Sequence, residues 1–347
     1  MPRNPDPHHS FNVSRRQLLQ IGGVAALSAS LPSSLCGVAQ SATAAADEPL
    51  RVGANSVPCG LPTRKRVLRL AHLSDIHVQP ERGAGEGLAA VLRHVHALPD
   101  KPDLIMTGGD LVMDSFEATR ERTQTQWDLF TGVFGQECKI PVEHCLGNHD
   151  VWGWNKKNSK TRGDERGWGK VWACDLLGLP APYRSFDRAG WRFVVLDSVF
   201  PHEDGYIGRL DDAQWEWLRG TLEQTPATTP VLIVSHIPIL TATTFMDNGR
   251  KGGDFTVSRS LMHEDMLTFR DLFLKHRNVR LCLSGHIHLY DRLDYNGTTF
   301  ICDGAVSGSW WKGTHQQTPA GYGLINLYAD GTFENEYVEY GWSARPA

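Results

Sequence analysis

The 347-residue sequence has no strong excess of one charge and no apolar run long enough to span a membrane. Its 35 Lys and Arg residues nearly balance its 39 Asp and Glu residues, for a formal net charge of −4. This balance argues against the broad basic footprint of a nucleic-acid-binding protein. The apolar stretch at residues 21–31 is well short of the roughly 20 residues that a transmembrane helix needs. We therefore expect neither a nucleic-acid partner nor a stable membrane anchor.

Cysteine is sparse and is not spaced for a zinc site. The seven cysteines are Cys36, Cys59, Cys138, Cys145, Cys174, Cys282 and Cys302. No two of them stand at the Cys-x-x-Cys spacing that thiolate zinc sites use. Cys145 and Cys282 lie inside apolar runs, where a small buried side chain is expected. We expect at most one or two disulfides among the six cysteines that follow Cys36.

The N-terminus has the features of an export signal. Arg15 and Arg16 precede the Gly-, Ala- and Ser-rich apolar stretch at 21–31, and small residues that suit cleavage follow it. This pattern resembles a bacterial twin-arginine signal, which directs folded proteins across a membrane. We therefore predict a signal peptide at 1–46 and an extended leader at 47–66. The mature protein is then expected to be periplasmic or secreted, with the twin-arginine export machinery as a partner.

Short apolar runs alternate with helix-length patterns over much of the remaining chain. The apolar runs, each bounded by turn residues, predict strands at 67–73, 103–107, 140–146, 191–196, 231–234 and 279–283. The patterns between them predict helices at 86–98, 117–134, 168–177, 211–224 and 258–276. Strands that alternate with helices are typical of an α/β layered fold with a buried sheet.

After Gly285 the pattern changes from alternating elements to paired strands. The dipeptides Asn296-Gly297 and Asp330-Gly331 are typical of tight hairpin turns. The strand-like segments around them lie at 289–295, 298–302, 322–328 and 333–340. We expect both hairpins to contribute antiparallel strands to a second sheet.

Side chains that can bind metal ions stand directly after five of the predicted strands. They are Asp75, His77, Asp110, Asn148, His149, His236, His286 and His288. Because ligands bind outside the carboxyl ends of strands in open α/β sheets, we expect these side chains to meet in one crevice. Carboxylates, imidazoles and an amide oxygen, without thiolates, suit Mn²⁺, iron or Zn²⁺. Without His149 there are seven ligands, which fit two ions that share one carboxylate.

The order and spacing of these residues resemble the calcineurin-like metallophosphoesterase superfamily. The matching motifs are Asp75-x-His77, Gly109-Asp110, Gly147-Asn148-His149-Asp150, His236 and Gly285-His286-x-His288. The resemblance implies a four-layer α/β/β/α sandwich, in which two mixed sheets are flanked by helices. We assign residues 67–347 to one metallophosphoesterase domain on this basis.

The resemblance also implies a role for each residue of the site. The ligands form two sets that share Asp110 as the bridge: Asp75, His77, Asp110 and His288 for one ion, and Asp110, Asn148, His236 and His286 for the other. Two divalent ions and two carboxylates leave a charge of about +2, which suits a small phosphate ester as the substrate. The remaining residue, His149, would contact the phosphate and protonate the leaving alkoxide.

One position departs from the family pattern. Family members often have Asp or Asn three residues after the bridging carboxylate, where it helps to orient the equivalent of His149. Here that position is Met113. Asp114 and Asp150 are the two candidates for the orienting role.

These features predict a dinuclear metal-dependent phosphoesterase that hydrolyses a P–O ester bond by attack of a metal-bound hydroxide. A phosphodiesterase is preferred, because Asp110-Leu111-Val112 and Gly-Asn-His-Asp resemble the branch that contains cyclic-nucleotide and glycerophosphodiester phosphodiesterases. A phosphomonoesterase acting on a small phosphorylated metabolite is the alternative within this class. A non-catalytic metal-dependent binding protein of the cell envelope is the alternative from another class, although the presence of His149 argues against it.

Three segments near the motifs are candidates for substrate contacts. Residues 152–170 combine tryptophans with basic side chains, residues 245–254 contain clustered glycines, and residues 307–313 include Trp310 and Trp311. The first segment is equally consistent with a solvated surface insertion. Paired tryptophans pack in a protein more often than they stack on a nucleobase, so packing is the preferred interpretation of the third.

Overall fold

Two mixed sheets lie at the centre of the molecule, which was analysed as a computed structural model. The structure describes residues 64–344 apart from Gly249, Gly252 and Gly253. The predicted signal peptide, most of the predicted leader and Cys59 therefore lie outside the described residues.

Five strands form the first sheet: β1 (Arg66–Leu73), β2 (Leu104–Gly108), β3 (Val142–Cys145), β14 (Gly321–Tyr328) and β15 (Phe333–Glu339). Their order across the sheet is β15-β14-β1-β2-β3. The three N-terminal strands are parallel to one another, whereas β14 is antiparallel to both β1 and β15.

Six strands form the second sheet: β4 (Arg184–Arg188), β5 (Trp191–Val195), β8 (Val231–Val234), β11 (Val279–Ser284), β12 (Asp291–Tyr295) and β13 (Thr298–Cys302). Their order is β12-β13-β11-β8-β5-β4, with an antiparallel strand at each edge. Two short antiparallel pairs stand apart from the sheets: β6 (Val199–His202) with β7 (Gly205–Gly208), and β9 (Arg250–Lys251) with β10 (Asp254–Phe255).

The helices of the described residues are α1 (Ala84–Ala97), α2 (Arg120–Glu137), α3 (Lys156–Ser159), α4 (Val171–Leu177), α5 (Asp212–Gln224), α6 (Thr244–Asn248) and α7 (Met266–Lys275). The Thr119 side chain caps α2 by accepting a hydrogen bond from the Arg122 N–H, and Asp211 caps α5 in the same way. Such caps satisfy N–H groups that lack a partner in the first turn of a helix.

The sheets bury both of their faces because alternate residues of a strand point in opposite directions. In β8, Leu232 and Val234 pack between the two sheets, whereas Val231 and Ile233 pack against α5 and α7. On the first sheet, Leu73 of β1 packs instead against α1 and α2. The predicted four-layer α/β/β/α sandwich is therefore confirmed.

Three predicted helices begin three or more residues later than the sequence pattern indicates. The helix predicted at 117–134 starts at Arg120, after the cap residue Thr119. The helix predicted at 168–177 starts at Val171, because Gly167 and Gly169 have left-handed φ angles of 86° and 74°. The helix predicted at 258–276 starts only at Met266. The backbone before it is hydrogen-bonded elsewhere: the Gly208 N–H donates to the Arg259 carbonyl at 2.7 Å, and the His263 N–H donates to the Pro238 carbonyl at 2.9 Å.

The predicted placement of the two C-terminal hairpins is half correct. The hairpin of β12 and β13 belongs to the second sheet as expected. The hairpin of β14 and β15 instead joins the first sheet, where β14 pairs with β1 over the register Leu68–His72. Sequence analysis also missed β4 and the hairpin of β6 and β7, which have no long apolar run.

The described part of the chain contains neither a disulfide bond nor a helix that is long and apolar enough to cross a membrane. The five cysteines that it contains, from Cys138 to Cys302, are free thiols. None of its helices combines the length and the apolar character that crossing a bilayer requires.

Candidate metal centre

The loops that follow β1, β2, β3, β8 and β11 meet at one edge of the sandwich and bring the predicted site residues together. Histidine and aspartate side chains form three groups of three residues, and within each group the ligand atoms lie within 4.8 Å of one another. Together with Asn148, they include all eight predicted residues. The sequence therefore identified side chains that do converge, although His77 and His288, for example, are separated by 211 positions in the chain.

One cluster of possible ligand atoms comes from Asp110, Asn148, His236 and His286. His236 Nε2 is 3.2 Å from Asp110 Oδ2, 3.1 Å from Asn148 Oδ1 and 3.2 Å from His286 Nδ1. The oxygens and nitrogens of this cluster face one another across distances that a small cation can bridge. We call these four residues the second ligand set.

Another cluster of possible ligand atoms comes from Asp75, His77, Asp110 and His288. His77 Nε2 is 3.0 Å from His288 Nε2 and 3.6 Å from Asp110 Oδ2, and His288 Nε2 is 3.4 Å from Asp75 Oδ1. We call these residues, including Asp110, the first ligand set. Asp110 Oδ2 is therefore close to nitrogens of both sets.

Three histidines are oriented by hydrogen bonds from the ring nitrogen that points away from the site. His236 Nδ1 donates to the Gly108 carbonyl at 2.8 Å, His286 Nε2 to the Ser260 carbonyl at 2.9 Å, and His288 Nδ1 to the Gly308 carbonyl at 2.7 Å. Metal-binding histidines commonly use their second nitrogen in this way, which fixes the tautomer. The nitrogen that faces the site then presents a lone pair.

These tautomers make the arrangement suitable for a cation. If both rings are neutral, His236 Nε2 and His286 Nδ1 are lone-pair acceptors that face each other at 3.2 Å. Two acceptors at that distance repel unless a proton or a metal ion lies between them. The residues present therefore fit a metal ion in the second ligand set, and the clustered ligand atoms of Asp75, His77 and His288 fit one in the first.

The electrostatics of the buried site also favour positive charge. Burial alone lowers the pKa of His236, but the nearby Asp110 carboxylate outweighs burial and raises it to about 9. Burial raises the pKa of Asp110 and Asp75, but neighbouring histidines outweigh it and hold both pKa values below the usual range. Both carboxylates are therefore ionised and stabilise positive charge in the pocket.

Five ligands of the site have backbone conformations that are uncommon for residues with a side chain. Their φ angles are positive: Asp75 (54°), His77 (45°), Asp110 (53°), His286 (73°) and His288 (60°). Such left-handed residues cost on the order of 1–3 kcal/mol each and are concentrated at functional sites. Backbone hydrogen bonds between loops hold them, including His77 N–H to the Asp110 carbonyl at 2.9 Å.

Two motif glycines allow the loops to approach the ligands. A side chain at Gly285 would overlap the Asp75 carboxylate and the Ser74 hydroxyl, and one at Gly147 would overlap the Asp110 carboxylate. Close packing against the ligands therefore explains why glycine precedes His286 and Asn148 in the two motifs.

His149 lies beside the first ligand set but points partly toward solvent. Its side chain is 28% exposed, whereas that of Asp110 is 2% exposed. The His149 backbone N–H donates to Asp110 Oδ1 at 2.8 Å, and its ring nitrogen Nε2 is 4.0 Å from Asp110 Oδ2. Its ring also meets His77 edge to face, at a centroid distance of 4.7 Å. The His149 ring thus borders the first ligand set and is partly open to solvent.

Neither candidate for orienting His149 is hydrogen-bonded to its ring. The Asp150 carboxylate accepts the N–H groups of Leu111 and Gly147, both at 2.8 Å, and so ties two site loops together. The Asp114 carboxylate accepts the Glu117 N–H at 3.0 Å. Nδ1 of His149 is buried without a hydrogen-bond partner among the described residues. The ring is held instead by its backbone and by its contact with His77.

The paired tryptophans have different environments. Trp311 is buried, and its indole N–H donates to the His77 carbonyl at 2.9 Å, so it packs beneath the site as expected. Trp310 is half-buried and borders the first ligand set, with ring centroids 4.5 Å from His288 and 5.5 Å from His315. Of the pair, Trp310 alone is placed where it can contact a substrate.

The tryptophan-rich segment at 152–170 is a structured surface element rather than an open lid. Trp152 is buried, and the Trp168 indole N–H donates to the Gly153 carbonyl at 3.0 Å. Its basic side chains at Lys156, Lys157, Lys160, Arg162 and Arg166 are exposed. Part of the glycine-rich segment at 245–254 lies outside the described residues.

Sequence analysis missed Tyr206, a residue of β7 that borders the second ligand set. Its ring contacts His286 edge to face at a centroid distance of 6.1 Å. Burial raises the pKa of its hydroxyl, and the Asp110 carboxylate raises it further. An isolated tyrosine in a turn-rich segment gives no sequence signal. The backbone carbonyls of Gly108, Ser260 and Gly308 were missed for a similar reason, since any residue type can supply a carbonyl.

Comparisons with known proteins agree with this geometry. Residues 68–290 match the family model described as calcineurin-like phosphoesterase. The chain is 25% identical over 299 residues to a 3′,5′-cyclic-nucleotide phosphodiesterase of Nostoc sp., which covers 81% of this chain and 97% of the relative. It is 27% identical over 275 residues to a probable cyclic nucleotide phosphodiesterase of Synechococcus sp., which covers 78% of this chain and 91% of the relative.

A solved structure with the same architecture is that of a dimetal phosphatase from Danio rerio. It aligns with a TM-score of 0.51 and 14% sequence identity, covering 80% of this chain and 100% of the other. At this identity the similarity supports the fold alone.

Proposed function

Because this chain belongs to the calcineurin-like phosphoesterase family, we propose that it is a phosphodiesterase whose substrates are cyclic nucleotides. Its membership makes it a metal-dependent hydrolase of ester bonds. The observation that carries the proposal is the pair of ligand sets that share Asp110, with the partly exposed His149 beside them. The substrate class is supported by the printed names of the relatives from Nostoc and Synechococcus.

The two ligand sets would hold two metal ions, for which we propose Mn²⁺ or iron, with Zn²⁺ as a further possibility. Two such ions supply a nucleophile at neutral pH and neutralise charge on the phosphoryl oxygens. The protein contributes two carboxylates, Asp75 and Asp110, so the metal-loaded pocket keeps a net positive charge. That charge attracts an anionic diester even though the whole chain has a net charge of −4.

We assign the general acid to His149. The His149 ring is partly open to solvent, and its backbone N–H is hydrogen-bonded to the Asp110 carboxylate, so the imidazole lies at the entrance of the pocket. From there Nε2 can deliver a proton to the alkoxide that leaves when the P–O bond breaks. Acid catalysis of this kind is typically worth about 10²-fold to 10⁴-fold in rate.

A substrate panel tests this function. The metal-loaded protein is assayed with 3′,5′-cyclic AMP, 3′,5′-cyclic GMP, glycerophosphodiesters, bis-p-nitrophenyl phosphate and p-nitrophenyl phosphate. We expect metal-dependent turnover of the cyclic nucleotides and of the nitrophenyl diester, and loss of both in Asp110→Asn. Preferred turnover of the monoester would instead identify a phosphomonoesterase. No turnover of any ester by fully loaded protein would favour a metal-dependent binding protein.

We further propose that the twin-arginine export machinery carries the protein to the periplasm or the outside. The support is the Arg15-Arg16 pair before the apolar stretch at 21–31. Fractionation of a bacterial host that expresses the full chain tests the proposal. The wild type should be found outside the cytoplasm, and the charge-conserving variant Arg15→Lys/Arg16→Lys should remain inside. Equal export of both chains would contradict a twin-arginine route.

A further inference from the structure

Tyr206 is held beside the second ligand set by an apolar cluster. Its ring packs against Phe116, with centroids 5.7 Å apart, and against the buried group that includes Val151, Val199 and Ile237. Val151 follows the His149 motif, and Ile237 directly follows His236. The cluster therefore fixes the tyrosine between two loops that carry site residues.

The hairpin of β6 and β7 that carries Tyr206 is braced by the same segment that orients a ligand. The Gly208 N–H donates to the Arg259 carbonyl at 2.7 Å, and the Glu264 N–H donates to the Gly208 carbonyl at 2.9 Å. Between these two points, the Ser260 carbonyl accepts the hydrogen bond from His286 Nε2 at 2.9 Å. The position of Tyr206 relative to His286 is thus fixed by shared backbone contacts.

The Tyr206 hydroxyl is not used by the protein itself. Within the described residues it makes no hydrogen bond to another group, and its oxygen is not sealed from solvent. Its neighbours on the site side are His286, whose ring it meets edge to face, and the Asp110 carboxylate, whose field reaches the hydroxyl. A largely buried tyrosine usually places its O–H on a partner, so the free hydroxyl indicates a partner that comes from outside.

We propose that the Tyr206 hydroxyl donates a hydrogen bond to a non-bridging phosphoryl oxygen of the substrate. This inference rests on the proposed function in that the ligand is a phosphate ester. A phenol with an ordinary pKa near 10 keeps its proton at neutral pH and is a donor. A donor fixed at the pocket wall stabilises charge on the phosphoryl oxygens without rearrangement during the reaction. Tyr206 is then a catalytic residue that acts together with the two metal ions and His149.

The variant Tyr206→Phe removes only the hydroxyl, and Tyr183→Phe is the matched control. Tyr183 is also partly buried, but its ring packs against Trp217 away from the site. Each metal-loaded protein is titrated calorimetrically with inorganic phosphate and assayed with bis-p-nitrophenyl phosphate. Because a hydrogen bond to a charged group contributes about 1.5–3 kcal/mol, we expect phosphate affinity and kcat/KM to fall by about 10-fold to 100-fold in Tyr206→Phe. Metal content and melting temperature should match the wild type.

The two readouts separate this inference from the proposed function. Weaker phosphate binding by Tyr206→Phe supports the phosphoryl contact even if no ester is hydrolysed. Suppose that the wild type hydrolyses the ester and that Tyr206→Phe has a kcat/KM and a phosphate affinity within twofold of the wild-type values. This result overturns the inference and leaves the proposed function intact. A lower metal content in Tyr206→Phe would also overturn it, because the residue would then support the ligand sets rather than the substrate.

Discussion

Asp110 Oδ2 lies 3.2 Å from His236 Nε2 in a pocket where both side chains are almost completely buried. The same oxygen is 3.6 Å from His77 Nε2 of the other ligand set. Since one carboxylate oxygen lies close to both sets, we expect the two proposed metal positions to depend on each other. Their shared dependence on a single residue can be measured.

Replacing the bridge should empty both positions. We expect Asp110→Asn to reduce the metal content from two ions per chain to less than one, because the amide lacks the charge that two cations share. Elemental analysis after dialysis against Mn²⁺ provides the measurement. Asp128→Asn, a change of an exposed carboxylate on α2, should keep both ions. Two ions retained by Asp110→Asn would contradict the bridging role.

The role of His149 predicts a dependence on the leaving group. Nitrophenolate leaves without a proton, whereas an alkoxide needs one. For His149→Ala we therefore expect kcat/KM to fall by about 10²-fold or more with an alkyl diester, and much less with a nitrophenyl diester. Equal losses for the two ester types would assign His149 a structural role, for which the contact of its ring with His77 offers a basis.

Gly285 should tolerate no side chain. We expect Gly285→Ala to displace the Asp75 carboxylate and to weaken metal binding by about 10-fold to 100-fold, the usual effect of disturbing a ligand's surroundings. Metal titration followed by calorimetry measures the change. Gly132→Ala in the exposed part of α2 is the control, because an added methyl group meets nothing within 4 Å there. That control should retain metal binding and gain about 0.5–1 kcal/mol of stability, since alanine favours helices.

The lowered pKa of His144 predicts that the free energy of unfolding depends on pH, independently of the metal centre. Burial in β3, with a smaller effect of Arg184, lowers its pKa from 6.5 to about 4. Above pH 6.5 the folded and unfolded states are both neutral at this residue. As the pH falls from 6.5 to about 4, the unfolded state binds a proton that the folded state excludes, so stability decreases by up to about 3 kcal/mol.

Urea denaturation of chelated protein at pH 7 and pH 4.5 tests this contribution. The wild type should lose more stability between the two pH values than His144→Gln, which has no group that titrates there. The same change in unfolding free energy for both chains would show that the folded state accepts the proton at His144.

The ligand residues could be predicted because two independent patterns coincide. Asp75 and His236 each follow a short run of apolar residues that is buried in the structure. A buried strand that ends in a polar metal-binding residue places that residue at the carboxyl edge of a sheet. With five such strand ends, the residue types alone indicated a shared crevice.

Other parts of the site depend on contacts that the chain makes only when it is folded. The hairpin of β14 and β15 was recognised as a hairpin, but its turn does not encode which strand will pair with it. Tyr206 reaches the pocket because β7 is hydrogen-bonded to residues 259–264, and that contact also prevents these residues from starting α7. Local periodicity carries no information about either pairing.

The pairing of β1 with β14 constrains when the active molecule can form. Asp75 and His77 follow the end of β1, yet one of the two neighbours of β1 is β14, which ends at Tyr328. Contacts between such distant parts of a chain form late and slowly. The first ligand set is therefore supported on both sides only after two parts of the chain that lie far apart in the sequence have paired.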